Sequence, residues 1–414
     1  MNGMSWLSRR VFLATAASAV GRGMVAQTPA IPSAIRDLKP MTGGIQPITD
    51  EERRGRIEKA RRLMREQQLG AVIMESGSSM FYFTGTRGAA SDPTFVLVLP
   101  ARGEPVWIVP AGSDIRIGGD VRAWTGDDGA PKKIAEALRD RGAATGKVGI
   151  EERVRFDVFD GVRKELPRLE LASADPVTAG CRMIKSPAEL ALLQRANDIT
   201  IACYRAALGS LREGMTQHEL STNISAGYQA LGVTGDAMAI FGKYTAYPHG
   251  SIQPQKLQEG DLVLVDDGCS VEGYQSDITR TVVFGKPTAR QREIWNLERR
   301  AQDAALAVAK PGATCESVDA AARQVIADFG FGPGYKLPGL PHRTGHGIGL
   351  DGHEWTYLVR GNKTRIEPGM CFSDEPTIAI QGEFGVRLED CMYITEDGSR
   401  MFTKQSPAID QPFG

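Results

Sequence analysis

The sequence predicts an α+β protein with two domains, in which an α/β domain precedes a strand-rich domain. Three observations lead to this prediction. Short apolar runs typical of strands alternate with helical patterns as far as about residue 170. A basic, turn-like stretch then ends at Pro187, and strand patterns dominate beyond residue 235. Strands that alternate with helices indicate an α/β domain, whereas elements that segregate along the chain indicate an α+β arrangement.

The composition is that of an ordinary globular protein. The chain of 414 residues leaves room for two domains and a leader, and its hydrophobic content is 42%. The 49 basic and 50 acidic side chains give a net charge of -1. This balance gives no electrostatic reason to expect nucleic acid or a membrane surface as a partner, so we expect neither.

The N-terminal segment has the pattern of an export signal. Arg9 and Arg10 precede an Ala-rich apolar run that ends near Val20. Ten residues span only about 15 Å as a helix, half of a bilayer core, so we expect no stable membrane insertion. The arginine pair is typical of a twin-arginine signal, which predicts a periplasmic or other extracytoplasmic location. We assign residues 1–45 to this signal and a linker. A disordered tail with a chance Arg-Arg pair is the alternative.

The six cysteines are widely spaced and form no Cys-x-x-Cys pair. An exported protein could oxidise them, but twin-arginine cargo generally folds before export, in a reducing compartment. We therefore expect buried free thiols.

Residues 46–177 carry the patterns of the first domain. An amphipathic helix is predicted over 51–70, with Gly70 as its stop. The remaining elements are short and alternate in type. Helices are predicted at 131–142 and 155–166, and strands at 71–76, 95–100, 104–110 and 147–152. No group of residues in this domain has the spacing of a catalytic cluster.

Residues 178–414 form the second predicted domain. A turn-like stretch over 178–187 marks its start, and a helical pattern follows from Pro187 to about residue 212. A second helix begins at Thr216, because Thr216 and Glu219 fit a capping box. Strand patterns dominate beyond residue 235, apart from two helices between about 287 and 329.

Two predicted hairpins each carry a pair of acidic residues. In the first, an apolar strand runs into Asp266, and turn-prone residues that include Asp277 lead to a second strand through Thr279 to Phe284. A turn centred between Val271 and Glu272 would place these two aspartates opposite each other, because they are equidistant from that point. The first hairpin is therefore predicted to carry two facing carboxylates.

The second hairpin repeats this construction. Glu375 and Glu389 lie seven residues on either side of Gly382, so a turn at Gly382 would make them face each other. Arg387 shares the strand face of Glu389 and is expected to orient it through a charge-assisted hydrogen bond. Like charges that face each other on a sheet are destabilising. Two such pairs therefore indicate bound cations, with solvated surface hairpins as the alternative.

Histidines cluster close to these hairpins. His342, His346 and His353 lie in a glycine-rich stretch between the two hairpins, and His249 precedes the first hairpin. The glycines at 345, 347 and 349 allow close approach of backbone and ligands. His218 starts a helix and is expected on the surface. Three histidines so close together in such a stretch favour a functional site over a structural role.

Four carboxylates and one imidazole suit two divalent ions, because the charges of ligands and ions nearly cancel. The ligands are Asp266, Asp277, His346, Glu375 and Glu389. The oxygen-rich set favours Mn²⁺, with Co²⁺, Zn²⁺ or Fe²⁺ as alternatives. Carboxylates can bridge two ions about 3.5–4 Å apart, with an activated water between them.

The sequence resembles the pita-bread metallopeptidases, specifically the branch of Xaa-Pro aminopeptidases and Xaa-Pro dipeptidases (prolidases). The ordered set of motifs is specific, and the likeness covers about residues 45–405. The matching segments are Arg182–Glu189, Asp266–Gly268, Ser276–Thr281, Thr344–Leu350, His353-Glu354, Glu375-Pro376 and Gly385–Asp390. The resemblance implies a creatinase-like N-terminal α/β domain, followed by a pita-bread domain whose curved antiparallel sheet is backed by helices.

The resemblance also implies how the ligands divide between the ions. Asp266 would be a terminal ligand of one ion, Asp277 and Glu389 would bridge, and His346 and Glu375 would complete the other ion. It further implies a homodimer or higher homo-oligomer, which size-exclusion chromatography would show as a species larger than the monomer.

Further roles carry over to residues around the ions. His249 and His353 would bind the substrate and the tetrahedral intermediate, and His342 matches a further substrate-binding histidine. Arg387 matches an active-site arginine. Glu375 would also shuttle a proton beside a hydroxide that bridges the metals. The implied activity is two-metal hydrolysis of the Xaa-Pro bond in short, proline-containing peptides or dipeptides.

Several alternatives stay open at this point. The sequence does not separate aminopeptidase from dipeptidase. Trp355-Thr356 after His353-Glu354, and Thr377–Ile380 after Glu375-Pro376, depart from the usual family pattern on the pocket wall. A two-metal hydrolase of a non-proline substrate and a creatinase-like protein that is not a peptidase are the alternative functions.

Overall fold

The computed structural model describes residues 30–88, 93–113 and 119–413. The predicted twin-arginine motif at Arg9 and Arg10 lies outside the described residues. Within them, no helix combines the length and the apolar character needed to cross a membrane.

The first half of the described chain alternates strands and helices around one sheet. Its helices are α1 (Ser33–Arg36), α2 (Asp50–Glu66), α3 (Ser78–Thr84), α4 (Ala130–Asp140), α5 (Phe156–Glu165) and α6 (Asp175–Arg182). Its strands are β1 (Leu69–Glu75), β2 (Val96–Pro100), β3 (Val106–Pro110), β4 (Asp120–Trp124), β5 (Gly146–Ile150) and β6 (Leu169–Ser173). The strand order is β4-β3-β2-β1-β5-β6. The sheet is mixed, because β2 runs antiparallel to both β1 and β3, whereas β5 is parallel to β1.

The end of α2 differs from the predicted helix over 51–70. The helix ends at Glu66, and Gly70 lies inside β1 rather than stopping a helix. Gln68 takes a positive φ of 56°, which turns the chain out of the helix and into the strand. This left-handed conformation at a non-glycine residue is uncommon, so the sequence pattern did not predict it.

The stretch predicted as turn-like at 178–187 is partly helical. Helix α6 includes Thr178 and ends at Arg182, with Pro176 in its first turn, where proline is tolerated. Thr178, Cys181 and Arg182 are buried in it. Tertiary burial therefore overrides the local turn signal. The described residues from Ile31 onwards form one compact unit, and the domain boundary at 177/178 stays a prediction.

The second half contains longer helices and antiparallel strands. Its helices are α7 (Pro187–Leu208), α8 (Gln217–Ala230), α9 (Ala289–Val308) and α10 (Cys315–Asp328). The strands before α9 are β7 (Thr234–Gly235), β8 (Met238–Phe241), β9 (Leu262–Asp266), β10 (Cys269–Val271), β11 (Tyr274–Gln275) and β12 (Arg280–Val283), with a 3-10 helix at Gly242–Ala246. The strands after α10 are β13 (Gly345–Gly347), β14 (Glu354–Leu358), β15 (Cys371–Asp374), β16 (Thr377–Ile380), β17 (Phe384–Arg387), β18 (Asp390–Thr395) and β19 (Gly398–Met401).

The helix starts in this half follow the sequence signals. The Thr216 hydroxyl accepts a hydrogen bond from the backbone N–H of Glu219, and the Glu219 carboxylate accepts one from the backbone N–H of Thr216, as the capping box predicted. Ser186 caps α7 in the same way. Trp295 on α9 lies in the same buried hydrophobic core as Phe372 on β15 and Met392 on β18. The α+β class, with an N-terminal α/β domain and antiparallel sheets backed by helices, is confirmed.

The register of the second hairpin is as predicted. Strands β15 and β18 pair Asp374 with Asp390, and β16 and β17 pair Thr377 with Arg387. Both pairs are centred on Gly382, so Glu375 and Glu389 lie opposite each other between them.

The first hairpin is centred one residue further along than predicted. Strands β10 and β11 pair Val271 with Tyr274, so the turn falls at Glu272 and Gly273. Both residues have positive φ, at 50° and 89°, which suits a tight two-residue hairpin turn. The pairing therefore shifts by two residues, and Asp266 faces Thr279 rather than Asp277. Because side chains alternate with a period of two, this shift preserves the strand face of each residue.

All six cysteines are buried free thiols, as the sequence predicted. Each lies in the described part of the chain.

A buried ion-pair cluster connects α6 to the stretch that contains His353. Arg182 contacts carboxylate oxygens of Asp351 and Glu354, and Lys185 Nζ lies 2.7 Å from Glu354 Oε1. Asp351 also accepts a hydrogen bond from Arg153, which is half-exposed. The two carboxylates are thus held by cations at the end of α6, just before α7 and at Arg153.

We predict that Arg182→Met lowers the free energy of unfolding by about 3–5 kcal/mol, because it removes one partner from a buried ion-pair cluster. Chemical denaturation would measure the change. Arg153→Met is the matched control, since Arg153 pairs with the same Asp351 from the surface and should cost less than about 1 kcal/mol. Equal losses in the two variants would contradict this assignment.

Candidate metal centre

One cavity contains every side chain that the sequence assigned to the site. It has a volume of about 560 Å³. The nine predicted residues that line it are His249, Asp266, Asp277, His342, His346, His353, Glu375, Arg387 and Glu389. Met238, Pro248, Asp267 and Arg343 complete the lining. The fold therefore brings together predicted residues that lie up to 140 positions apart, from His249 to Glu389.

The two hairpins meet at Thr279 and Glu389. Each backbone N–H donates to the carbonyl of the other residue, at 3.3 and 3.1 Å. The Thr279 hydroxyl also lies 2.5 Å from Asp266 Oδ1 and 2.7 Å from Glu389 Oε2. A hydroxyl has one proton, so it can donate to only one of these carboxylates at a time. The junction thus holds one acid from each hairpin at a short distance from the other.

Three overlapping groups of side chains have donor atoms within 4.8 Å of one another. These groups are Asp266, Asp277 and Glu389; His346, Glu375 and Glu389; and Asp277, His346 and His353. The first two groups share Glu389 and together contain all five predicted ligands. An arrangement of two adjacent ligand groups with a common carboxylate is what a pair of divalent ions requires.

The orientation of His346 suits a metal ligand. Its Nδ1 lies 3.1 Å from the carbonyl oxygen of Gly347 and donates to it, so Nε2 is the ring nitrogen that faces the carboxylates and is available to a metal ion. Nε2 lies 3.1 Å from Glu375 Oε1 and 3.5 Å from Asp277 Oδ2. A Cβ atom on Gly345 would lie 2.1 Å from the carbonyl oxygen of Ser373, so this strand can approach its neighbour only with glycine there.

The electrostatics of the cage fit bound cations. Burial, together with repulsion from neighbouring carboxylates, raises the pKa of Asp277 and of Glu389 well above the usual range. Burial also opposes ionisation of Glu375, but the hydrogen bond and charge of His346 outweigh it and lower its pKa to about 2. Glu389 Oε1 is buried and has no hydrogen-bond partner among the described residues. Divalent cations would remove the repulsion and provide a partner for this oxygen.

The partner of Arg387 differs from the expected one. Its guanidinium contacts Asp266 Oδ2 and donates to Thr279 Oγ1 at 3.1 Å and to the carbonyl oxygen of Pro248 at 3.2 Å. It forms no hydrogen bond to Glu389 in the described structure, because its long side chain reaches across to the facing hairpin. Arg387 therefore orients Asp266 and the backbone next to His249.

The remaining histidines differ in exposure and in the hydrogen-bond partners that the protein provides for their ring nitrogens. His249 is exposed on the cavity wall. His342 has a partner at each ring nitrogen, the Arg343 carbonyl at 2.7 Å and the Thr377 hydroxyl at 3.0 Å. Only its ring face is left for a substrate. His353 packs against His346 with ring centroids 3.8 Å apart and ring planes tilted by 37°. Burial, with nearby His346 and Arg343, lowers the pKa of His353 to about 4.

Among the residues that contact the predicted site, Thr279 and Arg343 were missed in the sequence. Thr279 lies inside the quoted motif Ser276–Thr281, and its position two residues after Asp277 was the signal that could have identified it. Arg343 follows His342 directly, but its side chain is assigned to the cavity only by the fold. The sequence contains no pattern that would have indicated this.

Comparisons with known proteins agree with this geometry. Residues 191–396 match the model of metallopeptidase family M24, and residues 56–184 match the Creatinase/Prolidase N-terminal domain. The chain is 31% identical over 366 residues to the Xaa-Pro dipeptidase of Lactobacillus delbrueckii subsp. lactis, covering 85% of this chain and 98% of that protein.

Solved structures show the same likeness. The dipeptidase PepE from Mycobacterium ulcerans superposes with a TM-score of 0.79 at 31% identity, covering 87% of this chain and 97% of that one. The prolidase from Thermococcus sibiricus gives a TM-score of 0.78 at 29% identity, with 84% and 96% covered. The chain therefore belongs to metallopeptidase family M24, as a peptidase of the prolidase branch with a creatinase/prolidase N-terminal domain.

Proposed function

We propose that this protein hydrolyses the Xaa-Pro bond of short peptides with the help of two divalent metal ions. The observation that carries the proposal is the pair of ligand groups that share Glu389 within one cavity. Asp266 and Asp277 would hold one ion with Glu389, and His346 and Glu375 would hold the other. Bound divalent ions polarise a carbonyl group and lower the pKa of a water molecule. The oxygen-rich ligand set favours Mn²⁺.

The surrounding side chains have defined tasks in this proposal. A carboxylate oxygen of Glu375 accepts the proton that the attacking water loses and delivers it to the proline nitrogen as the peptide bond breaks. His249 and His353 donate hydrogen bonds to the carbonyl oxygen as negative charge develops on it. Arg387 keeps Asp266 and the backbone at Pro248 in place. His342 offers its ring face to the proline.

The choice of Xaa-Pro dipeptides as the first substrate class rests on the relatives described above. A cavity of about 560 Å³ is in the range of small-ligand sites and suits a short peptide. Longer Xaa-Pro peptides, as an aminopeptidase would cleave, and non-proline amides remain the alternative substrates, and a rate comparison separates them.

We predict Mn²⁺-dependent hydrolysis of Xaa-Pro dipeptides, faster than that of matched tripeptides with one residue after the proline. Amino-acid release would be measured on the metal-free protein with and without added Mn²⁺. Dipeptides with alanine in place of proline serve as the substrate control. Equal rates on proline and alanine substrates would refute the proline specificity. If no Xaa-Pro peptide of either length is cleaved with metal present, the proposed function is wrong.

We predict that Thr279→Val weakens Mn²⁺ binding by about 10–100-fold, because Asp266 and Glu389 lose the hydroxyl that orients them. Isothermal titration calorimetry would measure the affinity. Thr281→Val is the matched control, since the Thr281 hydroxyl bonds only the backbone of Arg387 in the described structure. Its Mn²⁺ affinity should stay within about threefold of the wild type. An unchanged affinity in Thr279→Val would exclude this role.

We also propose that residues 1–45 direct export through the twin-arginine route. Replacing Arg9 and Arg10 by lysine should leave the protein in the cytoplasm, because the receptor reads the arginine pair. Cell fractionation would measure the distribution. Arg22→Lys, outside the pair, is the control. Export of the double lysine variant at the wild-type level would rule the route out.

A further inference from the structure

Arg343 lies on the cavity wall, and hydrogen bonds of its two neighbours in the chain fix its backbone. Its carbonyl oxygen accepts a hydrogen bond from the ring of His342 at 2.7 Å. The next residue, Thr344, donates from its backbone and its hydroxyl to Asp319 Oδ1, at 3.1 and 2.8 Å. Asp319 is itself buried and paired with Arg323. The position of Arg343 is therefore determined by the contacts of both of its neighbours.

The guanidinium of Arg343 reaches His353. Its Nη2 lies 2.9 Å from His353 Nδ1, and its central carbon lies 4.7 Å from the ring centre of Tyr357. Stacking on Tyr357 restricts the plane of the guanidinium. Among the described residues, Arg343 forms no ion pair, so His353 and the ring of Tyr357 are its main side-chain contacts.

This contact determines which nitrogen of His353 carries the hydrogen. An arginine side chain is always protonated in proteins and has no acceptor atom. The Nδ1 atom of His353 must therefore be the acceptor, and the hydrogen of the neutral ring lies on Nε2. One nitrogen of His353 lies within 4.8 Å of donor atoms of Asp277 and His346. With Nδ1 committed to Arg343, Nε2 is the nitrogen left to serve a substrate.

We propose that Arg343 is a positioning residue that fixes the Nε2–H tautomer of His353, so that His353 acts as a hydrogen-bond donor to the substrate carbonyl oxygen. The proposal rests on the proposed function for the identity of the substrate group, but not for the tautomer. Within the described part of the chain, Arg343 gives His353 its hydrogen bond, so without Arg343 the ring keeps its packing on His346 and either nitrogen is free to carry the hydrogen.

The tautomer is measurable in the metal-free protein. The chain has only five histidines, so ¹⁵N-histidine labelling gives a simple spectrum, and His353→Gln assigns the signal. Long-range ¹H–¹⁵N correlations of the wild type should show a protonated Nε2 and an unprotonated Nδ1 at His353. Arg343→Met should shift both nitrogens towards a tautomer mixture. Arg343→Lys retains a hydrogen-bond donor and should show the wild-type pattern. Arg360→Met, at an exposed arginine seven residues after His353, should also leave the pattern unchanged.

Kinetics test the consequence for the reaction. Arg343→Met should lower kcat by about 10–1000-fold with KM within about threefold, because the donor acts on developing charge. In the His353→Gln background the same change should cause no further loss, since Arg343 acts through His353. A wild-type spectrum in Arg343→Met, or losses that multiply in the double variant, would overturn the proposal. If the protein cleaves no Xaa-Pro peptide, the proposed function fails, and the spectra alone still decide the tautomer.

Discussion

The gathering of four carboxylates and one imidazole in a single cavity is the constraint on which the rest of the structure depends. Asp277 and Glu389 are buried against other acids, and burial with mutual repulsion disfavours their ionised forms. Hydrogen bonds and an ion pair to the acids offset part of the free-energy cost of ionising them. The Thr279 hydroxyl touches acids of both hairpins, and Arg387 pairs with Asp266. These contacts explain why the hairpins meet where they do.

The strands that carry the acids keep a second set of charges on their other face. Asp390 follows Glu389 and points away from the cavity, where it pairs with the fully buried Arg280 at 2.7 Å. Gln302 on α9 donates to Asp390 and to the backbone carbonyl of Asp374. Because side chains alternate along a strand, the same stretch places Glu389 in the cavity and Asp390 against the helix layer. The helices behind the sheet thereby support the cage indirectly.

The N-terminal domain takes part in the same arrangement. Asp351 and Glu354 flank His353 in the chain, and both are held by Arg182 at the end of α6. Ser78 on α3 adds a hydrogen bond of 2.7 Å to Asp351. A stretch that carries a cavity-lining histidine is thus tied to elements more than 150 residues away in sequence. Stability of the domain contact and geometry of the site are coupled through these few side chains.

The sequence by itself determined the side-chain types of the cage, the starts of α7 and α8, and the second hairpin, because these depend on local spacing. Glu375 and Glu389 face each other since both lie seven residues from Gly382. The first hairpin required the tertiary structure, because its register follows from a left-handed conformation at Glu272 that no local pattern indicates. Tertiary structure also decided that Arg387 reaches Asp266, and that Arg343 reaches His353. Such contacts depend on distances between elements that are remote in sequence, which residue spacing does not encode.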